Sequence, residues 1–326
     1  MNNSQQLNEL QKINTNINST NTSLSTITTN TGSMNLQKIN NVNITTVDQS
    51  LPISISSTNV QNFRIWDPIV SRLGRYTDII NVSINASSAA IDTSEQNFAD
   101  NLHSLNRNIT FPTSAGIIGI NSNSILDNGV TPNTGARIIL VQGLDSLYNP
   151  IQETVLLNGT TKVSTLQSYI IVNFIRVLTA GSLGSNQGYI WASSDSDTFN
   201  AAGPPSTNIY ILIAPNINLT RCGFYCVKLG YTLLATESSF SSDASQAEVI
   251  NCNAWLKSGV TGLIYKLSES YITTSTVTFS NQDTLSISEK SILYLTCYNK
   301  SGSSKAYANI KCCLVKNSTY PNINFT

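Results

Sequence analysis

Glu153-Thr-Val-Leu-Leu-Asn-Gly-Thr-Thr-Lys-Val-Ser164 places two short runs of β-forming residues on either side of Asn158-Gly159. Asn-Gly suits the positive-φ positions of a tight turn, so flanking strands of this kind predict a β-hairpin. The same pattern extends outward. Arg137-Ile-Ile-Leu-Val141 reads as a strand upstream, and Ser168 to Leu178 and Gly188-Tyr-Ile-Trp191 read as strands downstream. Further runs follow at Ile209 to Ile213, Gly223 to Lys228, Tyr231 to Thr236, Gln246 to Leu256 and Gly262 to Leu267. Thr274 to Phe279, Ile292 to Tyr298 and Ala306 to Val315 complete the set. Short strands at this density, with few helix signals, predict an all-β body over 136–326, a β-sandwich or jelly-roll-like fold.

The surface of such a body is unusual in its chemistry. Only 11% of the 326 residues are charged, against roughly 25% in ordinary soluble domains. Asn, Ser and Thr take their place, and these hydrate a surface through neutral hydrogen bonds. Lys+Arg and Asp+Glu balance at 18 each, which argues against a basic footprint for nucleic acid or an anionic membrane. The opening MNNSQQLNEL has neither a basic nor an apolar region of a secretory signal, and none is expected. Tyr169 to Val177, the longest apolar stretch, is too short to span a bilayer.

Ahead of the body the pattern changes. Residues 5 to 34 place Leu10, Ile17, Leu24 and Thr31 at a positions of a heptad and Ile13, Thr20, Ile27 and Met34 at d. This narrow seam predicts a helical, coiled-coil-like stem over 1–55, and its mixed Leu and Ile lean towards a homotrimer. The alternative is a polar extended arm, since Asn, Ser and Thr are weak helix formers. Leu10-Gln-Lys-Ile-Asn recurs as Leu36-Gln-Lys-Ile-Asn with Gly32 between the copies, so one unbroken coil is not expected. Residues 56–135 read as a connecting region, with Phe63, Ile65, Trp66, Ile69, Val70, Leu73 and Tyr76 clustered to dock on the body.

Groups for catalysis are scarce. The single histidine, His103, lies in a polar stretch and is read as a surface residue. Asp67, Asp78, Asp145 and Glu153 have no spacing that makes a carboxylate pair, and Glu153 reads as structural. Thr179-Ala-Gly-Ser-Leu-Gly-Ser-Asn-Gln-Gly188 lacks the Gly-Lys-Ser/Thr ending and the helix of a phosphate cradle, so it reads as a hairpin loop. The six cysteines, Cys222, Cys226, Cys252, Cys297, Cys312 and Cys313, do not show the C-x2-C spacing of a zinc knuckle. They are read as buried reduced thiols. Asn-x-Ser/Thr sequons at Asn18, Asn21, Asn108, Asn158, Asn218 and Asn317 are what so Asn- and Thr-rich a chain produces by chance, and are read as unmodified. No catalytic residue, metal or cofactor is expected.

Residues 136 to 317 resemble a family of virion structural proteins of marine bacteriophages and of large DNA viruses of algae and protists. The likeness rests on Gly143 and Asp145, Glu153 to Val155, Asn158 to Thr161, Ala180 to Ser182, and Asn186 and Gly188. Tyr225-Cys-Val-Lys-Leu-Gly-Tyr-Thr232 is similar to a family turn, with Lys228 where proline is usual. Ile287 through Val315 is similar to the closing hairpin. The resemblance implies a non-enzymatic capsid protein or capsid-associated component of a virion, assembled in a host cytoplasm. Its expected partners are other virion proteins, the major capsid protein among them. The competing reading is a receptor-binding fibre or spike that holds host glycans through loop aromatics such as Tyr148, Tyr189 and Trp191. A virion-borne polysaccharide-degrading enzyme is the third.

Overall fold

The computed structural model describes residues 79–100, 105, 107–130, 133–200, 202–204, 209–243, 249–272, 277–300, 302 and 304–318, and Lys12 ahead of them. The expected stem, its Leu10-Gln-Lys-Ile-Asn repeat and the Phe63 to Tyr76 cluster lie outside the described residues. The strands in chain order are β1 (Ile79–Ile91), β2 (Gln96–Asn97), β3 (Ile118–Ser122), β4 (Ala136–Leu144), β5 (Pro150–Leu156) and β6 (Val163–Ser164). After these come β7 (Ile171–Ala180), β8 (Ile190–Ser194), β9 (Ile209–Ile213), β10 (Phe224–Cys226) and β11 (Tyr231–Ser242). The chain ends on β12 (Ile250–Lys257), β13 (Ile264–Ile272), β14 (Val277–Ile287), β15 (Ile292–Asn299) and β16 (Ser304–Lys316). The described protein is all-β, built as two sandwiches.

The first sandwich pairs the two ends of the described chain. One sheet runs β1-β16-β11-β14 and the other β10-β15-β12-β13, with β2 also on β15. Taking β1 and then β10 to β16 as eight successive strands, the antiparallel pairs are first with eighth, second with seventh, third with sixth and fourth with fifth. Nested pairing of this kind is a ribbon rolled on itself, the jelly roll. Strand chemistry fixes which face turns inward. In β16, Ala306, Ala308, Ile310, Cys312 and Leu314 are buried while Lys305, Tyr307 and Lys311 are exposed, a period of two. Ile84 lies opposite Ile310 and Ala86 opposite Ala308, so β1 adds its own apolar face to the same core. Leu293, Leu295 and Cys297 of β15 meet that face from the other sheet.

The second sandwich is an insertion. The chain leaves the roll after β2 and re-enters it at β10. Between these points it builds sheets β6-β3-β8-β9 and β5-β4-β7 around Ile118, Ile120, Ile139, Val141, Ile175, Trp191 and Ile211. Exit and return run side by side, with Ala99 bridged to Cys222 and the Gly223 N–H donating to the Phe98 carbonyl at 2.8 Å. A Cβ on Gly223 would lie 2.9 Å from that oxygen and 3.0 Å from the Ala86 side chain, so this crossing needs glycine. Asn173 ties the sandwiches together by donating to the Cys226 carbonyl at 3.0 Å and accepting its N–H at 2.9 Å.

Three sequence expectations differ from this arrangement. The body does not start at residue 136: β1, β2 and β3 come from the expected connecting region and pair within the body's sheets. β1 reads IINVSINASSAAI, where Asn, Ser and Ala dilute the apolar alternation. The five residues of β3 are buried on both faces and so have no alternation to read. Nor does the loop 179–188 join a hairpin, since β7 pairs with β4 and β8 with β3 and β9, and neither does Asn158-Gly159, since β5 pairs with β4 and β6 pairs with β3. Its turn, closed by the Thr161 N–H on the Asn158 carbonyl at 3.0 Å, carries the chain from one sheet to the other. The tight hairpin is β4–β5, whose turn is held by Asp145 accepting the N–H groups of Leu147 (2.8 Å) and Asn149 (2.9 Å). Burial pushes the Asp145 carboxyl up, but the hydrogen bonds from the Asn149 backbone and side chain and from the Leu147 N–H together outweigh it and hold the group below its ordinary range.

Asp127 pins the loops of the inserted sandwich. Its fully buried carboxylate accepts the N–H groups of Ala136, Gln187 and Gly188, each at 2.8 Å, and the Ser122 hydroxyl at 2.6 Å. This anchors the glycine-rich segment between β7 and β8. Asn186, also fully buried, completes the anchor by donating to the carbonyls of Gly188 (2.7 Å) and Ala214 (2.8 Å). Asp127→Ala leaves several buried donors without a partner and is predicted to cost on the order of 3 kcal/mol, read as a lower urea midpoint. A chain begun at residue 130 lacks β1 and β3 and exposes the edge of β16. It is predicted to aggregate, whereas one begun at residue 57 gives a soluble, β-rich protein by circular dichroism.

Candidate functional site

The residues singled out from sequence are dispersed into structural tasks. Asp145 closes the β4–β5 turn. Glu153 accepts the N–H groups of Leu166 (2.8 Å) and Gln167 (3.1 Å) and the Tyr169 hydroxyl (3.0 Å), so it fastens β5 to the loop beyond β6. Asp67, Asp78 and His103 lie outside the described residues. The loop aromatics do not form an open platform. Trp191 is buried with Tyr189 stacked on it at 5.1 Å and the Arg107 guanidinium 4.7 Å away, while Tyr148 is half-buried beside Lys290. All six cysteines are free thiols. Burial pushes the thiols of Cys222, Cys226, Cys252 and Cys312 up to about 12, which makes them poor nucleophiles. Among the described residues no group of three His, Cys, Asp or Glu could hold a metal ion, and no helix is long and apolar enough to cross a membrane.

A different surface stands out, which the strand search did not single out. The β12–β13 hairpin turns through Ser258-Gly-Val-Thr-Gly-Leu263. The Ser258 N–H donates to the Leu263 carbonyl and the Gly262 N–H to the Ser258 carbonyl, both at 2.9 Å. This tight closure throws the apolar side chains outward: Val260 is 83% exposed, Leu263 57%, Ile264 56% and Tyr265 45%. Four large apolar side chains share one projecting tip, an unusual concentration of exposed apolar surface. The cue in the sequence was Gly-Val-Thr-Gly-Leu-Ile-Tyr, an apolar run at a turn where polar residues are usual.

The sheet beneath the tip is rigid. Trp255 stacks on Tyr294 and donates its indole N–H to the Thr296 hydroxyl at 2.8 Å. Asn251 and Asn253, both buried, donate to Glu269 and to Glu95. Lys266 pairs with Glu269 at 2.6 Å, and this hydrogen bond is the main reason the Glu269 carboxyl is held down at about 2. A bulge between Ala254 and Trp255 puts Lys266 and Glu269 on one face of β13. A bulge and a lysine guard the free edge of a sheet against strand addition. The edge strand beside the tip is therefore poorly suited to accept an added strand.

No protein family matches the sequence, and no curated protein matches it. Solved structures that align with the chain, at TM-scores near 0.2, include proteins of viral particles. Cowpea mosaic virus top component is 8% identical over 60% of this chain and 80% of its own, with a TM-score of 0.18. The infectious bursal disease virus Gt strain is 11% identical over 75% of this chain and 74% of its own, with a TM-score of 0.21. The infectious bursal disease virus VP2 subviral particle gives 11% identity, 74% and 73% coverage and a TM-score of 0.20. Likenesses at this level carry no functional argument, which rests instead on the strand pairing and the exposed tip.

One buried carboxylate lies where the two sandwiches meet. Asp100 accepts the Ser87 hydroxyl, while its second oxygen has no partner among the described residues. Burial pushes it up from 3.8 to about 7, with Arg221 opposing. Between those two values the folded chain holds a proton that the unfolded chain has released, so stability falls as pH rises through about 4 to 7. Asp100→Asn is predicted to flatten that slope and to raise Tm at pH 8 by a few degrees, measured by thermal unfolding across pH.

Proposed function

We propose that this chain is a structural, non-enzymatic subunit of a virus particle that packs on neighbouring capsid subunits through the β12–β13 tip. The observation that carries the reading is the tip itself: Val260, Leu263, Ile264 and Tyr265 projecting from a jelly roll whose adjacent edge is guarded against strand addition. The jelly roll is one of the folds of viral capsids, although a fold alone does not assign a task. The low charge and the neutral polar surface suit dense packing of many copies, where repelling charges cost energy at each contact. The resemblance to virion proteins of marine bacteriophages and large algal and protist viruses supports the same reading. So do the six reduced thiols, which fit assembly in a reducing host cytoplasm. The stem over 1–55 belongs to this proposal as an oligomerising element or tether.

Ile264→Asp and Leu263→Asp remove apolar surface that is already solvated in the single chain. They are expected to leave Tm within about 2 °C of the parent, since exposed substitutions change stability little. The full chain is expected to form higher-order assemblies by light scattering and negative-stain microscopy, and each substitution is expected to abolish them. Assemblies that persist in both variants would remove the tip from the packing scheme.

A further inference from the structure

The outer face of the β1-β16-β11 sheet carries a concave site unrelated to the tip. Two cross-strand rows cover it: Ser87, Tyr307 and Ser241 in one, and Asn85, Asn309 and Ser239 in the next. Leu219 and Arg221, from the segment returning out of the inserted sandwich, wall one side and close a groove of about 420 Å³. The lining mixes hydroxyls, amides, one half-exposed phenol ring and one guanidinium with apolar surface from Leu219, Ala86, Phe240 and Ala308. Among the described residues, none gives a hydrogen bond to the side chains of Arg221, Ser239, Ser241 or Tyr307. The nearby cation Lys311 is already paired with Glu237 at 2.9 Å, so the cation this groove offers an incoming ligand is Arg221, which also lies near the Asp100 carboxyl.

That combination selects a chemistry. A phosphate-rich ligand calls for several cations or a helix N-terminus, and this lining has neither. An apolar peptide calls for an unbroken apolar floor, and here the apolar surface is interrupted by Ser, Asn and Arg side chains. A ligand with many hydroxyls, a flat face of C–H groups and a single negative charge matches each element in turn. The Ser239 and Ser241 hydroxyls pair with its hydroxyls, the Tyr307 ring lies against its flat face, and Arg221 holds its anion. We propose that this groove binds an acidic saccharide, carboxylated or sulfated. The proposal is independent of the packing role, because the groove lies on the sheet opposite the one that carries the tip.

Isothermal titration calorimetry of the full chain tests it, with trigalacturonic acid as the carboxylated probe, a chondroitin sulfate tetrasaccharide as the sulfated one and maltotriose as the neutral one. At least one acidic probe is expected to bind at least tenfold more tightly than maltotriose, and the stronger of the two identifies the preferred anion. Arg221→Gln is expected to erase that preference. Tyr307→Ala, at an exposed position that leaves the fold intact by circular dichroism, is expected to weaken acidic binding at least tenfold. Absence of binding to either acidic probe at millimolar concentration would overturn the proposal. So would equal affinity for all three, or acidic binding unchanged in Tyr307→Ala.

Discussion

The pairing of β1 with β16 is the constraint on which the rest depends. It joins residues more than 200 positions apart, from Ile79 opposite Val315 to Ile91 opposite Ser304. Until it forms, the β16 edge is open and the core formed by Ile84, Ile310 and Leu314 is incomplete on one side. Each such residue contributes on the order of 1.5–3 kcal/mol when fully enclosed, so the closure is a large fraction of a domain's net stability. It also fixes the insertion. Both passages between the sandwiches run through the Ala99–Cys222 crossing, and that crossing lies on the β2 and β10 side of the closed roll.

A chain so poor in charge must satisfy its buried polar groups by neutral means. Asn186 and Asn218 exchange backbone and side-chain hydrogen bonds at 3.0 Å, and Asn173 plays a similar part against Cys226. Side-chain amides offer both a donor and an acceptor, so one residue can bind backbone groups of two segments without the desolvation cost of an ion. The acidic exceptions are placed where donors are plentiful, as at Asp127 and Glu153. On the outer surface the same economy leaves broad Asn and Ser faces, and the apolar tip and the Arg221 groove stand out against them.

Much of the body was legible in the sequence because its strands alternate or are uniformly apolar. Ile209 to Ile213 coincides with β9, and Ile292 to Tyr298 and Ala306 to Val315 fall within β15 and β16. The resemblance-bearing residues also proved to be structural anchors: Asp145 at a turn, Glu153 on backbone amides, and Asn186 in a buried network. Three features were not legible. β1 is diluted by small polar residues, and only its distant partner β16 makes it a strand. Asn158-Gly159 has the right turn chemistry, yet which strands flank a turn is decided by sheet pairing and not by the turn. Asp127 looks like any loop aspartate until three separate segments converge on it. The candidate surfaces were illegible for the same reason, since a groove assembled from β1, β11, β16 and Arg221 has no local signature.

Hydrogen–deuterium exchange on the full chain tests the closed roll most directly, because amide protection reports which strands open together. If β1 closes the roll, peptides covering residues 79–91 and 304–316 exchange slowly and with the same opening free energy, matching β11 at the centre of their sheet. Fast exchange over 79–91 beside a protected 304–316 would mean that β1 is not part of the core, and the account of the fold and of its two surfaces would fail with it.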